Sequence, residues 1–182
     1  MKTSVIKSVQ RMKQFAMLLM VVFAVQSGTA QSAFEKFDNQ EDIRAVIVNK
    51  KMFALMAKME VKDKEGQQFL ALIKKLDNLK VFMTANTKRA TEMKAEALKH
   101  IKSAGLEELM RVTEKGKSVR IYVRSGANES QVKELLMFIE GSGKEESVLM
   151  SLTGTFDLDE LSTLTEKMNL PGGEALEKAG KK

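Results

Sequence analysis

Residues 134–153 read ELLMFIEGSGKEESVLMSLT and contain two apolar runs separated by a loop of small and charged residues. Runs of this length and composition are typical of two β-strands joined as a hairpin. When Ile139 is paired with Val148, the other apolar residues of the two runs also meet. The same register pairs Met137 with Met150 and Leu135 with Leu152. Both faces of the hairpin are apolar, which predicts a place in the middle of a sheet that is covered on both sides.

A second hairpin is predicted over residues 109–124, because apolar residues alternate there with polar ones. Pairing Val112 with Val119 places Glu114 opposite Lys117, across a two-residue Lys115-Gly116 turn or a four-residue loop in the same register. A slip by one residue would bury Arg120 beside Val112, so we expect this register.

The remaining patterns predict helices and two further strands, at residues 43–48 and 79–84. Helices are expected at about 50–59 with Asn49 as N-cap, at about 65–77, at about 88–104 with Thr87 as N-cap and Gly105 after the C-terminus, and from Asp157 to about 170. The first helix is expected to bury Met52, Leu55, Met56 and Met59, and the third to bury Ala90, Met93, Ala97, Ile101 and Ala104. The order β-α-α-β-α-β-β-β-β-α predicts an α+β fold with helices packed on a mostly antiparallel sheet.

The first thirty residues have the three parts of a cleavable signal peptide. Four basic residues precede an unbroken apolar run at 15–25, and small residues follow, with cleavage expected between Ala30 and Gln31. Eleven apolar residues rise only about 16 Å as a helix, about half of a hydrocarbon core, so a permanent membrane span is not expected after processing. The domains expected are a signal peptide at 1–30, a polar leader at 31–42, a single α+β domain at 43–170 and a flexible C-terminal tail at 171–182.

Charge and cysteine content narrow the function classes. Removal of residues 1–30 leaves 26 basic and 24 acidic side chains, a net charge of +2, so the high isoelectric point is not evidence for a nucleic-acid partner. The chain has no cysteine, which excludes disulfides, thiolate metal sites and a lipid-modified N-terminal cysteine.

Several segments together resemble one family of exported proteins. They are AVIVNKKMFALMAKM at 45–59, LDNLKVFMTAN at 76–86, LEELMRVTEKGKSVRIYVR at 106–124 and ELLMFIEGSGKEESVLMSLTGTFDLDELSTL at 134–164. The chain resembles the domain of unknown function 4252 family, whose members are found mainly in Bacteroidota. The resemblance implies a periplasmic or surface location. It implies no activity and no catalytic residues, and this chain lacks the cysteine of the members that resemble lipoproteins.

Four motifs invite a chemical interpretation, and each has a simpler one. His100 is the only histidine and is expected on the surface of the long helix, too isolated for a zinc site. Met52, Met56 and Met59 have the spacing of a Cu(I) site and equally that of a helix core face. The loop at 141–144 lacks the first glycine and the Ser or Thr of a phosphate-binding loop. The acids at 157–160 suit a helix N-terminus better than a calcium site. We therefore predict no catalytic residues, no metal ligands and no cofactor.

The polar face of the hairpin at 109–124 is the candidate binding site. Its register places Arg111 opposite Arg120, with Tyr122 and Arg124 on the same face. Like charges placed opposite each other are destabilising, so either an acid within the protein or an anionic ligand or partner must compensate them.

The leading hypothesis is a non-enzymatic exported module that binds an envelope protein partner or serves envelope regulation, in the periplasm or outside the cell. The alternative is a domain that binds a small ligand or anion through the arginine face or a cleft between sheet and helices. A carboxylate-based hydrolase is the less favoured third hypothesis, because such an enzyme leaves no local motif.

Overall fold

The fold is taken from a computed structural model that describes residues 33–114, 116–128, 130–141, 145–169 and 171–180. The predicted signal peptide and its Ala30–Gln31 junction lie outside these residues. The chain divides into two units, 1–35 and 36–182, and everything below concerns the second.

Six strands form one sheet in which all neighbours are antiparallel. The strands are β1 (Arg44–Asn49), β2 (Leu76–Thr84), β3 (Glu107–Glu114), β4 (Lys117–Ser125), β5 (Gln131–Glu140) and β6 (Ser147–Asp157). Their order across the sheet is β1-β2-β6-β5-β4-β3, so the β5–β6 hairpin is central and β1 and β3 are the edges. The predicted central place of this hairpin is confirmed.

Both predicted hairpin registers are also confirmed. In β5–β6, Ile139 lies opposite Val148. In β3–β4, Val112 lies opposite Val119 and Glu114 opposite Lys117. The two-residue connection ends at Gly116, whose φ of 82° is the left-handed conformation that glycine adopts without steric cost.

Five α-helices occur in the described part of the second unit: α1 (Lys50–Met56), α2 (Lys64–Ile73), α3 (Thr87–Ala104), α4 (Leu161–Met168) and α5 (Gly173–Gly180). A short 3-10 helix at Leu158–Glu160 precedes α4. The side chain of Asn49 accepts a hydrogen bond from the backbone of Met52 at 3.0 Å, which confirms the predicted cap of α1. Asn86, and not Thr87, caps α3, and Gly105 ends that helix in the left-handed conformation as predicted. The structure confirms the α+β class and the approximate order of elements.

The sheet is covered on both faces. One face carries a cluster of buried apolar side chains shared with α1, α2, α4 and α5, among them Phe53, Leu72, Leu161 and Leu176. The opposite face contacts α3 from strands β2, β5 and β6. In β5, Leu135, Met137 and Ile139 belong to this cluster, whereas Glu134 contacts His100 of α3 on the other face. Side chains on both faces of β5 and β6 are therefore buried. Each fully buried leucine or isoleucine contributes about 1.5–3 kcal/mol.

Two further predicted details are wrong. Helix α2 ends at Ile73, earlier than predicted. Leu76 is the first residue of β2, and the side chain of Leu76 packs into the core cluster from the sheet. In α1 the buried residue is Phe53, while Met52 and Leu55 are exposed. Two apolar stripes are possible on this short helix, and the larger aromatic ring takes the inner position.

Residues near the two ends of the domain are ordered into the fold. Within the segment predicted as a polar leader, Phe37 is buried and meets Phe82 edge to face at 5.8 Å. Helix α5 was not among the predicted elements; it forms after Gly172, and its Leu176 is buried. The sequence analysis also predicted that residues 171–182 are flexible. Flexibility is a property of motion, so that part stays a prediction.

Candidate functional site

A buried polar cluster joins α3 to the sheet. Nε2 of His100 lies 2.6 Å from Oε1 of Glu134, and both side chains are buried. Nη2 of Arg124 donates to Oε2 of the same carboxylate at 3.2 Å, with the guanidinium half exposed. Glu134 therefore has a partner on each oxygen, which is what a carboxylate requires when it leaves water.

The prediction that His100 lies on the surface is wrong. His100 shares the inner face of α3 with Met93 and Ala97, at positions i, i+4 and i+7. The apolar neighbour Ile101 is only partly buried. The helical spacing is compatible with burial of either His100 or Ile101. The contact with Glu134, thirty-four residues later in the sequence, stabilises the buried position of His100. The sequence contains no local signal of this pairing.

The arginine face lies where the register predicted it, and acids of the protein reach two of its arginines. Arg111 is directly opposite Arg120. Nη2 of Arg111 donates to Oε2 of Glu108 at 2.7 Å. The hydrogen bond from Arg111, and to a smaller extent that from Tyr122, holds the pKa of the Glu108 carboxyl below its ordinary value. Arg124 is paired with Glu134 as described above, so Glu108 and Glu134 supply the internal compensation that sequence analysis left open.

A cavity of about 510 Å³ lies between the β3–β4–β5 part of the sheet and the start of α5. Apolar side chains of Val112, Val119 and Ile139 form its floor, and charged side chains surround it. Among the latter, Nζ of Lys117 lies 3.6 Å from Oε2 of Glu145. The cavity has the size of a small-molecule site, and it is a sheet–helix cleft of the kind considered in the sequence analysis.

The second candidate surface is apolar and lies at the opposite edge of the sheet. Five of the six large apolar side chains that are exposed in the described part of the chain lie within residues 46–59, with exposed fractions of 43–64%. They are Val46 and Ile47 of β1, Met52 and Leu55 of α1, and Met59 just after it. We call this group the β1 edge surface. Val46 lies opposite Val81 and Ile47 opposite Lys80. Because successive residues of a strand point to opposite faces, the side chains of Val46 and Ile47 lie on opposite faces of β1.

The other motifs occupy structural positions. Asp157 and Glu160 form a capping box at a helix N-terminus, where Glu160 accepts a hydrogen bond from the backbone of Asp157 at 3.0 Å. Both oxygens of Glu160 also accept from Lys75. Of the three methionines considered for copper, Met56 is partly buried while Met52 and Met59 are exposed. Most of the 141–144 loop lies outside the described residues.

Two further observations are limited to the described part of the chain. No group of three or more His, Asp or Glu side chains there could hold a metal ion. No helix there is long and apolar enough to cross a membrane.

The fold and its sites define a class of domain: one antiparallel six-stranded sheet between helices, with a buried His–Glu pair that a half-exposed arginine joins. The sequence profile of the family described as "Domain of unknown function (DUF4252)" matches residues 36–164. The match covers more than half of the chain, and the chain belongs to this family, as its sequence segments predicted. Comparison with curated proteins and with solved structures gave no match.

Proposed function

We propose that this protein is an exported, non-enzymatic module that binds a protein partner in the cell envelope through the β1 edge surface. The observation that carries the proposal is the concentration of large exposed apolar side chains within residues 46–59. Apolar surface left in water costs about 25 cal/mol per Å², and exposed apolar patches of proteins commonly mark interaction sites.

Export to the periplasm or the cell exterior is part of the proposal. It is supported by the basic stub, the apolar run at 15–25 and the small residues before Gln31. The chain has no cysteine, so its fold depends on the hydrophobic core alone and on no disulfide. This composition is compatible with an oxidising compartment. N-terminal sequencing of the native protein tests this part, and an intact Met1 on a cytosolic species would contradict it.

Binding is tested by comparing variants of α1 in affinity capture from envelope extracts. The Met52→Glu/Leu55→Glu double variant places charges on two exposed positions, so the fold should be retained. We expect this variant to lose the partner that the unsubstituted protein captures. Leu98→Glu is the matched control, because Leu98 is an exposed leucine on α3, outside the β1 edge surface. Equal capture by all three proteins would contradict the proposed function.

Small-ligand binding is the second candidate function, and the cavity beside α5 is the observation that favours it. An apolar floor with a charged rim suits a small amphipathic molecule. Val119→Trp would fill the cavity from a partly buried position on β4. We expect this variant to abolish any ligand-induced rise in Tm found by screening small molecules against the unsubstituted protein, and an unchanged rise would place the ligand elsewhere.

A further inference from the structure

The two edges of the sheet differ in their suitability for pairing with a further strand. Natural proteins protect exposed edges with charged side chains and β-bulges. Strand β3 has four charged residues and a register irregularity between Glu108 and Met110. Strand β1 has no charged side chain from Ala45 to Val48, its register with β2 is regular, and among the described strands it pairs with β2 alone. The β1 edge is therefore the one suited to strand pairing.

Three ion pairs neutralise most of the charge at the ends of β1. They are Arg44–Glu146 and Asp42–Arg89 at its start and Lys50–Asp77 at its end. Two exposed charges of opposite sign are left: Glu41 just before the strand and Lys51 just after it, neither of which forms an ion pair within the described residues. Antiparallel pairing of two β1 strands brings the start of each strand beside the end of the other. A second copy of the chain therefore offers each of these charges a partner.

Two-fold symmetry restricts the register of such a pair. In an antiparallel pair of identical strands related by a two-fold axis, one central residue lies opposite its own copy. With Val46 at the centre, residues 44–48 of the two copies pair, and with Ile47 at the centre residues 45–49 pair. Any other centre pairs three residues of the strand or fewer. Only these two registers use most of β1.

The remaining charges favour the register centred on Val46. In that register Glu41 of each copy lies at the level of Lys51 of the other, so the contact between opposite charges is made twice. The register centred on Ile47 instead brings Arg44 to the level of Lys50, and both of these side chains already have an acidic partner in their own chain. It gains no contact between opposite charges.

The apolar side chains also suit this register. Val46 faces its own copy on one side of the sheet, and Ala45 faces Ile47 on the other side. Val46 is 44% and Ile47 43% exposed in the single chain. Cross-strand pairs of β-branched side chains stabilise a sheet, so this pairing removes exposed apolar surface and adds backbone hydrogen bonds.

We infer that two copies of this chain pair through β1 as antiparallel edge strands, with Val46 opposite Val46 and Glu41 beside Lys51 of the other copy. The inference rests on the proposed function and names a second copy as the partner at the β1 edge surface. Both copies use the same edge, so the pair closes on itself. The charged β3 edges then lie at the two outer ends of the joined sheet, which stops growth at two copies.

The register is tested by cysteine cross-linking of the purified full-length chain, which has no cysteine of its own. Directly opposite residues of an antiparallel pair have Cα atoms about 4.5–5.5 Å apart, within the range of about 4.4–6.8 Å for a disulfide. Val46→Cys, at an exposed position, should therefore form a disulfide-linked dimer under mild oxidation. Ala45→Cys and Ile47→Cys should cross-link with each other when mixed, and far less when each is alone. Thr113→Cys, exposed on the β3 edge, is the matched control and should stay monomeric.

The contact between opposite charges is tested by charge reversal and mixing. Glu41→Lys and Lys51→Glu, each alone, should weaken dimerisation at least about tenfold in analytical ultracentrifugation, because both symmetric contacts become repulsive. An equimolar mixture of the two variants restores opposite charges at both contacts, so dimerisation should return. Glu107→Lys reverses an exposed glutamate on β3 and should have no effect.

Three outcomes overturn the inference: a chain that stays monomeric, cross-linking of Ile47→Cys alone without cross-linking of Val46→Cys, or a dimer that neither charge reversal weakens. The proposed function can survive such a result. If the chain stays monomeric while the Met52→Glu/Leu55→Glu variant loses a captured protein of different sequence, pairing through β1 fails and the proposed function stands.

Discussion

Nε2 of His100 on α3 lies 2.6 Å from Oε1 of Glu134 on the central strand β5, with both side chains buried. This contact joins α3, which packs on one face of the sheet, to β5. Glu134 also accepts a hydrogen bond from Arg124 on β4, so one carboxylate connects three elements.

Replacement of Glu134 by alanine should destabilise the fold strongly. Removal of the carboxylate leaves the buried His100 and the half-buried Arg124 without their shared partner. Loss of one member of a buried pair costs roughly 3 kcal/mol, measured as the free energy of unfolding in urea. Glu107→Ala, an exposed glutamate on β3, is the control and should stay within about 0.5 kcal/mol. A cost below about 1 kcal/mol for Glu134→Ala would contradict the structural role of the cluster.

The contribution of Glu96 should depend on pH. Lys36 donates to the Glu96 carboxylate, and this hydrogen bond is the main reason why the pKa of Glu96 lies below its ordinary value of 4.5. Because the folded-state pKa is lowered, the stabilisation is present above pH 4.5 and is lost as the pH falls through that lower pKa. Glu96→Gln should cost about 0.5–1 kcal/mol at pH 7 and nothing at pH values below the folded-state pKa. Urea unfolding between pH 2 and 7 measures this, and a difference that does not vary with pH would contradict it.

Glu108 should be the internal counter-ion of the arginine face. In Glu108→Gln, Arg111 loses its ion-pair partner and the opposed Arg120 loses a nearby negative charge. We expect a lower Tm at low salt and a larger recovery of Tm in sulfate than the unsubstituted protein shows, because an anion then replaces the carboxylate. Glu107→Gln, next to it on the same strand, is the control. Equal sulfate responses in all three proteins would show that the arginines need no compensation.

An external anion or partner at the arginine face stays a prediction. The Arg111→Ala/Arg120→Ala variant should abolish binding of an anionic probe such as pyrophosphate, measured by isothermal titration calorimetry. Arg89→Ala, which removes an arginine from α3 outside this face, should leave the binding unchanged. Unchanged pyrophosphate binding in a folded double variant would reject the arginine face as a site.

Gly154 should not tolerate a side chain. A Cβ atom at this position would lie 2.5 Å from the carbonyl oxygen of Lys75 and 2.9 Å from Cα of Leu76, both backbone atoms that cannot move aside easily. Gly154→Ala should therefore cost roughly 1–3 kcal/mol in urea unfolding, as overpacking of a core does. Thr155→Ala, at the next and exposed position, should change stability by less than about 0.5 kcal/mol. A neutral Gly154→Ala would mean that β2 and β6 separate without cost near Leu76.

The candidate sites could be predicted from the sequence only in part. The register that brings Arg111 opposite Arg120 follows from alternation, and the structure has it. The pairing of Glu108 with Arg111 depends on side-chain positions beside a bulge, which alternation does not predict. The exposed side of α1 was predicted as its buried side, because a seven-residue helix presents two apolar stripes and only packing against the sheet chooses between them.

The amino-acid sequence by itself determined the α+β class, the two hairpin registers, the central place of β5 and β6 and the family. These features follow from the alternation or helical periodicity of apolar residues along the chain. Such spacing places apolar side chains on one face of a strand or helix, and the hydrophobic effect favours burial of that face. Only the tertiary structure decided that His100 turns inward to Glu134, that Phe53 and not Met52 lies in the core, and that β1 lies at an edge of the sheet. Each of these depends on contacts between residues far apart in sequence, and no local pattern specifies which distant side chain will be there.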